Sequence, residues 1–432
     1  MSIQSEYNKK LRTCEQIFDI VKDGWYICGG QLAGNPKMLF SNLHKLKGRV
    51  KGIEMQASLL LSDYPFLQDP EMVETLRFEG FFFGAYERKA HTYKMAGYTP
   101  ANLSQCAVRK LSYKKPNIFW GVSAPPDEHG NFCISFSIAY EMEMLEKADI
   151  IVIEVNPDAP RTFGDNVVNI KDVDYIIESD LPVDTLVSKD GVAGVDDMIG
   201  KNVASLIEDG STIQLGIGAI PNAVALHFND KKHLGVHTEM ITDSMAELFN
   251  AGIIDNSKKT LHKDKMIGTF VYGSKGLYDF VHNNASVYLL RGCVANDPFV
   301  IMQNYKMCSI NTGLQIDLTG QVCSESIGHK QYSGTGGQAE TAYGAQRSQG
   351  GKSIIALRST AKNETISTIT PLLTVGSMVS LSRNDTDYVV TEYGVACLRG
   401  RNISERVSRL ISIAHPKFRD MLSRQADELM IW

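Results

Sequence analysis

One carboxylate stands where α/β proteins usually do their work. Glu239 lies in His237-Thr238-Glu239-Met240-Ile241-Thr242-Asp243-Ser244-Met245, downstream of Gln214-Leu215-Gly216-Ile217-Gly218-Ala219-Ile220-Pro221-Asn222. The interval between Gly218 and Glu239 accommodates one helix and the next strand. That predicts a glutamate at a strand's C-terminal end, facing the crevice where open α/β sheets bind ligands; a solvated surface side chain is the alternative. The upstream stretch reads as strand, glycines, helix start, a device that offers backbone N–H groups to anions or polarised carbonyls. A plain strand-to-helix turn would read the same way. It is not the dinucleotide fingerprint, because Pro221 stands where the third glycine belongs, and no Gly-Lys-Ser/Thr of a phosphate loop follows.

A second glycine cluster, Tyr332-Ser333-Gly334-Thr335-Gly336-Gly337-Gln338, would let backbone amides crowd a reacting carbonyl or thioester, or would simply form a mobile loop. Ser274 and Ser333 lack the G-x-S-x-G setting of a serine hydrolase. His233, His237 and Glu239 lack the H-E-x-x-H order, so no metal site is expected. Lys352 and Lys362 flank an apolar strand, Ile354 to Leu357, and either could meet a phosphate or a pantetheine amide.

The elements that must position these residues alternate along the chain. Strand-like segments include Ile150 to Val155, Thr212 to Leu215, Ser286 to Leu290, Ser353 to Leu357 and Tyr388 to Val390. Helical periodicity marks Ile138 to Lys147, Asn222 to Phe228 and Glu405 to Ile413. Alternation of this kind predicts α/β architecture with mainly parallel strands and right-handed crossovers. There is also an internal echo. Asp23-Gly24, Ile27 and Gly30 recur at one offset as Asp209-Gly210, Ile213 and Gly216, each set followed by a proline at a helix start. Two related halves, residues 1–190 and 191–432, account for it. Their boundary falls in the polar, turn-rich stretch from Ser188 to Asp197.

At 432 residues two domains are the natural division. Hydrophobic content of 43% and charge of 22% are those of a globular protein. A net charge of −5 with dispersed Lys and Arg argues against nucleic acid as partner. No apolar run approaches the roughly 20 residues that cross a bilayer. The start of the chain is polar, unlike a secretory signal, so a cytoplasmic location and no membrane association are expected. Eight cysteines without any C-x-x-C pair read as reduced, mostly buried small hydrophobes.

Together and in this order, the motifs resemble the family of acetyl-CoA hydrolases and acyl-CoA:acetate CoA-transferases. In the first half the resemblance rests on Pro126-Asp127-Glu128-His129-Gly130 and on Val155-Asn156 leading to Pro160-Arg161-Thr162. In the second it rests on Gly216 to Pro221, His237-Thr238-Glu239, Asp317-Leu318-Thr319-Gly320-Gln321-Val322 and Gly334 to Gln338. Thr391-Glu392-Tyr393-Gly394 and His415-Pro416-Lys417-Phe418-Arg419 complete it. The resemblance spans nearly the whole chain and implies two related open α/β domains of the CoA-transferase type, with the active site between them. It makes Glu239 the catalytic residue that accepts coenzyme A as a glutamyl thioester in ping-pong exchange. It places CoA against Gln214, Leu215, Gly216, Ile217 and Gly218, with further contacts at Leu314, Gly336, Gly337 and Lys362. The chain departs from the family after Gln338 and in a shortened Thr360–Thr370 loop, and both border that path.

The implied partners are acyl-CoA and short-chain carboxylates of the butyrate or 4-hydroxybutyrate type, exchanged against acetate, with no tightly bound cofactor and a homodimeric or higher homo-oligomeric assembly. An acyl-CoA hydrolase on the same scaffold is the near alternative, distinguished by water access. A non-catalytic acyl-CoA-binding subunit is the alternative from another class. A sugar-phosphate isomerase would need phosphate donors and paired acid/base groups that are not evident.

Overall fold

The computed structural model describes residues 2–186 and 194–432 and divides into two compact units. Unit 1 is Met1–Val187 with Gly268–Val294, and unit 2 is Ser188–Ile267 with Ala295–Trp432. The expected boundary from Ser188 to Asp197 thus lies largely outside the described residues. The first unit also takes in a segment from beyond residue 191.

Unit 1 is built on seven strands: β1 (Tyr26–Gln31), β2 (Ile53–Ser58), β3 (Leu76–Gly80), β4 (Ala96–Tyr98), β5 (Ile118–Ser123), β6 (Ile150–Val155) and β7 (Tyr175–Glu178). Their spatial order is β7-β6-β5-β1-β2-β3-β4 and every pairing is parallel. Strands β1 and β5 are buried along their whole length. That is why they read as apolar runs rather than as alternating patterns: helices cover both faces of a parallel sheet. Phe40, Phe66, Phe78 and Trp120 fill the core.

Unit 2 carries β8 (Thr212–Leu215), β9 (Gly235–Val236), β10 (Met307–Thr312), β11 (Lys352–Ala356), β12 (Tyr388–Thr391) and β13 (Gly394–Cys397), in the order β9-β8-β10-β11-β12-β13. The first five run parallel and β13 closes the edge antiparallel. Ile316, Ile355, Val389 and Leu410 belong to its core. The helix α1 (Ala219–Leu226) follows β8, and α2 (Gln338–Arg347) lies between β10 and β11 in the chain.

The internal echo is a repeated turn. Gly24 and Gly210 both adopt the left-handed conformation, at φ +70° and +73°. Gly24 N–H donates to Lys51 O and Gly210 N–H to Lys232 O, each at 2.9 Å. The aspartates before them cap the same partners: Asp23 Oδ1 accepts from Lys51 N at 2.8 Å and Asp209 Oδ1 from Lys232 N at 2.9 Å. Each turn then launches the first strand of its own sheet. The architecture is the α/β one anticipated, and the cysteines are free, with Cys28, Cys106, Cys133, Cys308 and Cys323 buried.

Candidate functional site

Parallel strands deliver their C-terminal ends to one edge, and in unit 2 that edge gathers most of the singled-out residues. Gly216–Gly218 follow β8, Glu239 follows β9, Leu314 follows β10 and Lys362 follows β11. The segment carrying Glu239 is held on several sides. His237 N–H donates to Ile213 O at 3.1 Å, and Thr238 N–H donates to Ile267 O at 2.9 Å. Beneath it the buried Lys259 ammonium donates to Val236 O and Lys265 O, both at 2.7 Å. Burial pushes the Lys259 pKa down to about 7.

His237 is itself buried, and its Nε2–H donates to Ala295 O at 2.8 Å. Burial, reinforced by the nearby Lys259 charge, pushes its pKa down to about 3. The ring is therefore neutral and committed to the backbone. His233 lies apart, with Nδ1 2.7 Å from Asp255 Oδ2.

Glu239 is half-buried, and its Oε2 accepts from Gly337 N–H at 2.9 Å and from Asn296 Nδ2 at 3.5 Å. Burial raises its pKa to about 7, against the pull of those two donors toward the ionised form. A side chain at Gly337 would push this contact apart. A Cβ at that position would lie 2.1 Å from Asn296 Nδ2 and 2.5 Å from Glu239 Oε2. The arrangement presents a carboxylate of raised basicity, with a backbone amide and a carboxamide on one oxygen. Such a group can act as a nucleophile or base, and its donors can offset negative charge on oxygen.

The glycine stretch divides in two. Gln214 and Leu215 are buried, and Gln214 is used inside the sheet: its Oε1 accepts from Ile310 N and Asn311 Nδ2, each at 3.2 Å. Gly216 N–H is taken by Ile310 O at 2.9 Å. Ile217 and Gly218 are exposed at the start of α1, where Gly218 has φ +118°. Leu314 is half-buried and ties its N–H to Cys323 O at 2.9 Å.

The two lysines separate. Lys352 begins β11, at the opposite edge from Glu239, and its Nζ pairs with Glu208 and donates to Leu206 O, at 2.8 and 2.9 Å. Ion pairing at the strand's start, not ligand binding, accounts for it. Lys362 sits at the exposed tip of a hairpin formed by Thr360–Ala361 and Ile366–Ser367, where Lys362, Asn363 and Glu364 are all left-handed. Asn296 was not singled out from the sequence. The only signal around it is Asn296-Asp297-Pro298, a helix-start signature, and Asp297 Oδ1 indeed accepts from Phe299 N at 2.8 Å. In unit 1, two quoted motifs meet: Arg161 Nη2 donates to Asp127 Oδ2 at 2.9 Å.

The two units, each built on a mainly parallel sheet, make this an α/β protein with a carboxylate at one C-terminal strand edge. The chain belongs to the acetyl-CoA hydrolase/transferase family, whose N-terminal domain matches residues 1–187 and whose C-terminal domain matches residues 273–426. It is 42% identical to the 4-hydroxybutyrate coenzyme A transferase of Clostridium kluyveri, over 98% of this chain and 99% of that one. It is 34% identical to the butyryl-CoA:acetate CoA-transferase of Anaerostipes caccae, over 100% and 99%. The crystal structure of RipA from Yersinia pestis is similar at a TM-score of 0.94 and 30% identity, covering 100% of both chains.

Proposed function

We propose that this chain exchanges CoA between acetyl-CoA and a short-chain acid of the butyrate or 4-hydroxybutyrate class, with Glu239 as the covalent carrier. The observation that carries the reading is the Glu239 carboxylate, held at the strand edge against Gly337 N–H and Asn296 with its pKa raised to about 7. The names of the two relatives support the choice of acids.

Exchanging one thioester for another is close to thermoneutral, so the barrier is kinetic. Glu239 attacks the acyl-CoA carbonyl, the C–S bond breaks, and a mixed anhydride and CoA thiolate result. The thiolate attacks the glutamyl carbonyl, the anhydride C–O bond breaks, and the first acid leaves as its carboxylate. The second acid runs the two steps in reverse, so kinetics are ping-pong. Holding carboxylate and thioester together supplies effective concentration. Each attack builds an oxyanion, and one well-placed donor is worth about 3–4 kcal/mol. In this reading CoA runs along Ile217–Gly218, Leu314, Gly336–Gly337 and Lys362.

Acyl-CoA followed by borohydride should reduce the glutamyl thioester and leave a modified Glu239 in mass spectra. Glu239→Ala should fold normally and lose turnover. A label on another residue, or native turnover by Glu239→Ala, overturns the reading.

A further inference from the structure

The donor that touches Glu239 belongs to a glycine-rich segment, Ser333 to Gly337, and glycine backbones do not hold their own shape. Something must fix this one. Thr335 is two residues before Gly337, with Gly336 between them at φ +54°. Thr335 Oγ1 donates to Glu325 Oε1 at 3.0 Å. Glu325 is buried, and the same oxygen accepts from Ser380 Oγ at 2.8 Å, while Oε2 lies 3.5 Å from Gln331 Nε2. The Glu325 carbonyl accepts from Tyr332 N and Ser333 N, at 2.8 and 3.0 Å. Ser380 Oγ in turn accepts from Ser324 N at 3.0 Å. One residue therefore ties the glycine segment to the chain around Ser380 through both its backbone and its carboxylate.

We infer that Glu325 is a positioning residue: it anchors Thr335, and through the single linking glycine it holds Gly337 N–H on the Glu239 carboxylate. This rests on Glu239 being the covalent carrier. A buried carboxylate accepting from hydroxyls is a charge-assisted bond, stronger than a neutral one. A donor displaced by about 1 Å from a reacting group can cost roughly 10²-fold in rate. The effect belongs chiefly in the chemical step, because the donor that the anchor positions touches the Glu239 carboxylate itself.

The experiment uses the full-length enzyme and steady-state rates with acetyl-CoA and butyrate. Thr335→Val keeps the shape and removes the donor. It should lower kcat about tenfold to a hundredfold, with KM for acetyl-CoA changing by a smaller factor, since Gly336 and Gly337 also border the proposed CoA path. Thr335→Ser keeps the hydroxyl and should restore near-native kcat. Glu325→Ala, which also takes the acceptor from Ser380 and Gln331, should be at least as slow as Thr335→Val, and the double variant should be no slower than Glu325→Ala, because the threonine contact is already gone there. The inference falls if Thr335→Val is native-like, if Thr335→Ser is as slow as Thr335→Val, or if the two losses multiply. Should Glu325→Ala fail to fold, the threonine pair decides alone. Native turnover by Glu239→Ala would instead remove the underlying reading, and the two failures are thereby told apart.

Discussion

At the scale of the residue, Glu239 carries two opposing demands. Burial raises its pKa to about 7 and so raises its basicity, but only the ionised form can attack. The kcat/KM of the free enzyme should therefore rise with pH through about 7. Asn296→Ala removes a donor that favours the ionised form, so its acidic limb should move to higher pH and kcat should fall about tenfold. A pH–rate profile with the native limb would disprove that role. The same shift has a stability sign. Above its ordinary value in the folded chain, Glu239 favours folding fully only below about 4.5, and that contribution is lost as pH rises toward 7. Glu239→Gln should then be more stable than the native chain at pH 8. The gain should be roughly 1–2 kcal/mol after solvent screening of a half-buried group, and it should vanish near pH 4 in urea titrations. Glu239 and Gly337 were legible as residue types suited to this chemistry. Asn296 and Glu325 were not, since neither sits in a local pattern that separates it from ordinary turn and loop residues.

At the scale of the element, the twin turns before β1 and β8 are the part of the fold most open to test. A Cβ on Gly24 would meet no heavy atom within 4 Å, and on Gly210 only the Lys258 stem at 3.5 Å. Any cost of alanine there is the cost of the left-handed backbone itself, about 1–2 kcal/mol. Gly24→Ala and Gly210→Ala should each lower unfolding stability by that amount. A neutral result at either position would mean the turn relaxes and the echo is not a shared constraint. Elements also sorted the lysines. Local sequence offers both Lys352 and Lys362 as flanks of one strand, but flanks lie at opposite edges of a sheet. Only Lys362 shares the edge with Glu239, and it does so on a short hairpin that no hydrophobic period announces.

At the scale of the whole molecule, no described helix is long and apolar enough to cross a membrane. The balance of transfer over hydrolysis depends on how water is kept from the anhydride and thioester. With butyrate added, butyryl-CoA should form at least tenfold faster than acetyl-CoA alone releases free CoA thiol to water, a difference of about 1.4 kcal/mol in barrier. Equal rates would make the chain a hydrolase. We also propose a homodimer in the cytoplasm, which sedimentation of the purified chain and fractionation of its cells would check.

Strand and helix alternation, the paired Asp-Gly turns, the glutamate and the glycine clusters follow from residue types and short spacings, because local propensity and backbone freedom act over a few residues. Which groups meet the carboxylate does not. Gly337 and Asn296 stand 98 and 57 positions from Glu239. Contacts of that range are set by sheet order and by which strand ends share an edge, and only the folded chain decides those.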